Sequence, residues 1–193
     1  MLHALPEWEV VGFYDDGKAI GTVVKDRKVL GGLSDLQKIV EPLNLVLAIG
    51  NPLTKMKLAE GMNGINNINF PILIHPSAII QDFQSIKIGS GSIITAGAIL
   101  TTEIEIGEHV LINLNCTVGH DVHIGNCTSV MPGVNIAGEV IIGNGVFIGS
   151  GANILNGLHV GDQSLVGAGS VVTKSVANGN TVVGIPARPI STK

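Results

Sequence analysis

From Ile88 the chain reads IGSGSI ITAGAI LTTEIE IGEHVL INLNCT VGHDVH IGNCTS VMPGVN IAGEVI IGNGVF IGSGAN ILNGLH VGDQSL VGAGSV and closes on Val172. Written in sixes, the first column is aliphatic at fifteen consecutive positions, without one insertion. Glycine follows it directly in eight of the fifteen, at 89, 107, 119, 125, 143, 149, 161 and 167. Two places before the aliphatic stands a small or β-branched residue, as at Ser92, Ala98, Val110, Cys116, Thr128, Val134, Ala152, Ser164 and Ser170. Six residues are too few for a helix–turn unit and suit one short strand plus a corner, so three of them make a triangular coil of about eighteen. The aliphatic residue and its small partner point inward, and glycine relieves crowding at the corner. Successive coils stack by parallel pairing about 4.8 Å apart, as a solenoid. Each inward aliphatic contributes roughly 1.5–3 kcal/mol on burial, so a narrow core without aromatic residues is still substantial.

Outside this stretch the composition changes. Residues 1–86 hold 8 glycines and 16 charged residues, whereas residues 87–193 hold 18 and 10. The change falls within Phe70–Gln84, where FPILIHPSAIIQDF carries two prolines, and it divides the chain into units 1–70 and 71–193. In the first unit EVVGFYDD and NLVLAIG read as short strands. SDLQKIV reads as a short helix capped by Ser34, and NPLTKMKLAEGM as a second, with Asn51 as N-cap, Pro52 in the first turn and Gly61 near the end. Strand–helix–strand–helix is a small α/β unit.

The whole chain is 45% hydrophobic, 13% charged and 3% aromatic, with 26 glycines in 193 residues. That is too apolar for disorder, and its glycines lack the collagen period. No apolar run reaches the ~18–20 residues of a membrane span, and the N-terminus MLHALPEWEV lacks a signal-peptide pattern. A net charge of −4 gives no electrostatic reason to expect nucleic acid. Cys116 and Cys127 follow no metal or redox spacing and read as free thiols of a reduced cytoplasm.

Chemistry concentrates in Asn113-Leu-Asn-Cys-Thr-Val-Gly-His120-Asp121-Val-His123. With Val118 inside, Gly119 and His120 fall at a corner, where a side chain leaves the prism. Imidazole suits proton removal at neutral pH, and a carboxylate on its other nitrogen fixes the tautomer. Neighbours on a straight strand face opposite ways, so Asp121 reaches His120 only if the corner bends. The other histidines at 109, 123 and 159 read as decorations of turns. His123 and His159 are 36 residues apart, two coils or about 9.6 Å along the axis, too far for one metal ion, so no metal is expected.

The hexad pattern and the segments Tyr14-Asp15-Asp16 and Ala48-Ile49-Gly50-Asn51 resemble the hexapeptide-repeat, left-handed parallel β-helix acetyltransferases of the bacillosamine and sialic-acid pathways. The resemblance implies a mainly β fold, a left-handed β-helix preceded by a Rossmann-like α/β unit. It also implies acetyl-CoA as co-substrate and transfer to the amine of a nucleotide-linked amino sugar, in a cytoplasmic homotrimer with sites between prisms. A hydroxyl acceptor, or a non-catalytic scaffold or sensor, is the rival reading. Carried over residue by residue, His120 is the base, Asp121 its partner and Asn113 a neighbour on the substrate side. Ser129, Gly138, Ser150 and Ala168 fall at cofactor positions, although relatives often carry histidine where Ser129 stands. Asp15, Asp16 and Gly50 match nucleotide-sugar contacts. Val183-Gly-Ile-Pro-Ala-Arg188 matches the family ending, where Arg188 meets a CoA phosphate or closes the last coil. Family members open with a further strand, a glycine-rich turn and a helix. This chain starts after them, so weakened nucleotide-sugar binding is expected.

Overall fold

The computed structural model describes residues 1–190. Its larger part is a three-faced parallel β-solenoid. Two-residue strands pair with those eighteen residues on, as Ile99 with Thr117, Leu111 with Ser129 and His123 with Ile141. The aliphatic column from Ile94 to Val172 and the small column beside it are buried and form one continuous core. Because Ile148 is wholly buried in that core, Ile148→Ala should cost about 2–5 kcal/mol in denaturant melts without altering the fold.

The solenoid starts earlier than the unbroken repeat, at Leu73–Ile74 and Ile79–Ile80. Leu73 pairs with Ile93 and Ile79 with Ile99, a spacing of twenty, so two extra residues sit between Ile80 and Lys87 and push Phe83 outward. At the other end Leu165 pairs with Thr181, sixteen residues on, and Arg188–Ile190 folds back antiparallel on Thr181–Val183.

The corners correct the reading of the glycines. Left-handed backbone recurs at every sixth residue from Gly91 to Gly169, three places after the aliphatic, and includes Glu103, His109, Asn115, Asp121, Cys127, Glu139 and Gln163. The glycines directly after the aliphatic do another task. A Cβ on Gly125 would stand 2.6 Å from the Gly143 carbonyl carbon of the next coil, so this column is kept bare for close stacking.

The N-terminal unit contains β1 (Phe13–Tyr14), β2 (Val23–Val24), β3 (Arg27–Gly31), α1 (Leu33–Leu36), β4 (Leu43–Asn44), α2 (Pro52–Gly61) and β5 (Ile68–Asn69). β1 and β2 flank β3 in one sheet, while β4 pairs only with β5 in another. α2 starts as the sequence implies, with the Asn51 side chain accepting from the Thr54 amide at 3.0 Å. α1 does not, because its N-cap is Gly32 rather than Ser34. The Gly32 amide donates to Asp35 and the Leu33 amide to Asp16, so acidic side chains do the capping. Of NLVLAIG only its first residue, Asn44, is strand, together with Leu43 in β4. The Leu45 amide still donates to Asn69, after which Phe70-Pro71 leads away from the paired strand β5 into the solenoid. Leu45 and Leu47 then pack with Leu36, Met62 and Ile68.

Candidate active site

His120 and Asp121 occupy the corner after the strand Thr117–Val118. Asp121 has φ of +56°, and this left-handed residue supplies the bend that a straight strand lacks. The His120 Nδ1 then lies 2.8 Å from Asp121 Oδ2, with both side chains more than half exposed. The imidazole spans to the next coil, where a Cβ on Gly138 would stand 2.5 Å from Nε2. The bare glycine makes room for the ring.

The three corners differ in backbone chemistry. At one, the amides of Glu108, Asn126, Asn144 and Asp162 donate to side-chain oxygens of Asn126, Asn144, Asp162 and Asn178 in turn. That ladder satisfies its own corner. At the other two, the amides of His120, Gly138, Ser150 and Ala168 have no protein acceptor among the described residues. Ser150 and Ala168 are exposed and lie one coil apart on one corner; His120 and Gly138 do so on the other. Both corners border the face that carries Thr117, Asn135 and Asn153, themselves joined by hydrogen bonds of 2.8 and 3.0 Å. Open amides a coil apart suit the amide-bearing pantetheine arm of coenzyme A. The sequence reading missed the ladder, although an Asn or Asp after each of Gly125, Gly143 and Gly161 was its signal.

The remaining expected residues scatter. Asn113 caps Leu114 from the corner opposite His120 across that face, and its amide contacts Met131 Sδ at 3.9 Å. Ser129 is wholly buried with an unpartnered hydroxyl. As it stands in this chain, it presents no surface to a cofactor. Asp15 accepts from the Gly17 amide and Asp16 from the Leu33 amide, so each has local work to do. Gly50 is exposed and approaches Met131, whose methyl would lie 3.4 Å from an added Cβ. Arg188 is exposed on the closing strand.

Two histidines read as turn residues stand on strands instead, His123–Ile124 and His159–Val160. His123 Nδ1 lies 3.2 Å from Glu105, which also holds Lys87 at 2.6 Å. The Lys87 hydrogen bond lowers the Glu105 carboxyl and raises the Lys87 ammonium from their ordinary values. With Asp82, Ser85 and Asp121 they line a groove of about 520 Å³. His109 is buried, edge-on to Phe70 at 4.7 Å. Among the described residues no three His, Cys, Asp or Glu side chains group as metal ligands, and no helix is long and apolar enough to cross a membrane. Cys116 and Cys127 are buried and free, and burial pushes both thiols up.

Residues 1–62 match the PglD N-terminal domain, and residues 139–174 match the bacterial transferase hexapeptide (six repeats). WeeI from Acinetobacter baumannii AYE is 33% identical over 93% of this chain and 85% of its own, with a TM-score of 0.84. The chain belongs to the hexapeptide-repeat sugar acetyltransferases. This acetyltransferase is also similar to the acetyltransferase domain of PglB from Neisseria gonorrhoeae FA1090, solved with acetyl coenzyme A. Identity is 29% over 98% of this chain and 90% of that one, with a TM-score of 0.89. PerB from Caulobacter crescentus, solved with CoA and GDP-perosamine, is 28% identical over 93% and 84% of the two chains, with a TM-score of 0.83. No curated protein sequence matches significantly.

Proposed function

We propose that this enzyme transfers the acetyl group of acetyl-CoA to the amine of a nucleotide-linked amino sugar. The observation that carries the reading is the His120–Asp121 pair at a corner with open amides, in a fold shared with PglB bound to acetyl coenzyme A and PerB bound to GDP-perosamine. Asp121 accepts from Nδ1–H, so the Nε2 lone pair is free to act as general base. An amine must lose a proton as it attacks a thioester, and His120 takes it. Acetyl-CoA supplies the activated acyl carbon, and CoA leaves as the thiol. The Gly138 amide, one coil from His120 and without a protein acceptor, is the candidate donor to the developing oxyanion. Asn113, Ser150, Ala168 and Arg188 complete the proposed substrate and cofactor contacts, and Asp15, Asp16 and Gly50 the nucleotide contacts. Both substrates are cytoplasmic metabolites, so the reaction belongs to the cytoplasm.

Incubation with acetyl-CoA and a panel of UDP- and GDP-linked amino sugars should release CoA thiol with at least one amine acceptor. Release only with hydroxyl acceptors, or with none, overturns the reading. A homotrimer whose sites lie between neighbours, as the family resemblance implies, completes the reading. Light scattering should give three chains per particle; a monomer at working concentration overturns the shared site.

A further inference from the structure

On α2 the burial is inverted. Leu53 is 46% exposed, whereas Lys55 is 1% exposed and lies inside the contact between the two units. Its ammonium donates to the carbonyls of His109 at 2.8 Å and Thr128 at 3.1 Å, which belong to successive coils of the solenoid. Around this point Met56 packs onto Gly145 and Phe70 onto His109. Four residues before Lys55 stands the N-cap Asn51, and before it Gly50, in contact with Met131. Met131 in turn touches Asn113, at the border of the face that ends on His120. A buried ammonium is tolerated only where acceptors meet it, so Lys55 admits one docked geometry where an apolar side chain would admit several.

We infer that Lys55 is a positioning residue, which ties α2 to two coils of the solenoid and thereby holds the Ala48–Asn51 loop at a fixed reach from the His120 corner. It touches no reacting atom. A nucleotide held by that loop then presents its sugar amine at the distance this tie sets. The inference rests on the acetyltransferase reading for its kinetic readout alone.

Lys55→Met removes both donors and keeps the length and apolar stem. It strands the His109 carbonyl, while the Thr128 carbonyl keeps the Leu111 amide at 3.0 Å. One stranded buried acceptor is equivalent to about 5- to 100-fold in an equilibrium, so KM for the nucleotide sugar should rise by that factor. The kcat and the calorimetric acetyl-CoA affinity should stay within about twofold, because the loss falls on ground-state binding of the other substrate. Lys55→Arg, which keeps the donors, should recover most of the loss and covers the case in which the Met variant does not fold. Equal losses for both substrates, no loss, or no recovery overturn the inference.

A second readout needs no turnover. Burial pushes Lys55 down to about 8 from an ordinary 10.5. Cys127, His109, Glu108 and Glu60 are the titratable neighbours of this junction. Between the two values the unfolded chain keeps a proton that the folded chain has released, so unfolding becomes harder as pH rises. The stability of wild type relative to Lys55→Met should therefore increase from pH 7 to pH 9. A flat difference overturns the buried tie. If no amine acceptor reacts, the functional reading fails, while this measurement still decides the tie.

Discussion

His120→Ala should lower turnover by about 10²–10⁴-fold and leave the fold and acetyl-CoA affinity unchanged. The ring stands outside the prism, more than half exposed, and contributes nothing to the aliphatic core. Its loss therefore removes a base without opening a cavity. Asp121→Asn should cost less, since the amide still holds the ring at Nδ1 but favours the wrong tautomer or a less basic nitrogen. His159→Ala is the matched control, on a strand two coils from His123 and away from the corner. Stopped-time CoA release at saturating substrates measures the three. Retention by His120→Ala of more than about a tenth of wild-type turnover would exclude it as the general base.

The solenoid was legible because its core enforces the period. One residue in six must be aliphatic, and slipping by one would turn that column to solvent. The corners were less legible. Left-handed backbone favours Gly, Asn and Asp, yet Glu103, His109, Cys127 and Gln163 occupy the same column, so its glycine signal is diluted. The other glycine column, directly after the aliphatic, answers to coil-to-coil contact instead. The His120–Asp121 pair was legible from its place at a corner together with the family resemblance, because adjacency alone turns neighbouring side chains to opposite faces. What covers a residue is not periodic. Ser129 sits in an outward column yet is wholly buried, and Lys55 reads as an ordinary exposed helix residue yet is the buried cation of the junction. Lys55 depends on how the N-terminal unit lies on the solenoid, which neither unit's own pattern encodes.

Gly138→Ala should cut turnover by about 10²-fold, an effect of displacement alone. The added Cβ would lie 2.5 Å from His120 Nε2, 2.7 Å from Cε1 and 3.0 Å from Cδ2, so the ring must move. Nothing else in the site changes chemically. Gly138 is not among the left-handed glycines, so alanine adopts its backbone without strain, and the alanine keeps the amide proposed as oxyanion donor. The ring has solvent to swing into, which spares the fold and leaves the melting temperature close to wild type. A double variant separates this account from a direct role for the position. Both substitutions act through one imidazole, so Gly138→Ala placed on His120→Ala should cost almost nothing further. A full additional loss in the double variant would mean that Gly138 acts on the substrates themselves, and the steric explanation would fail.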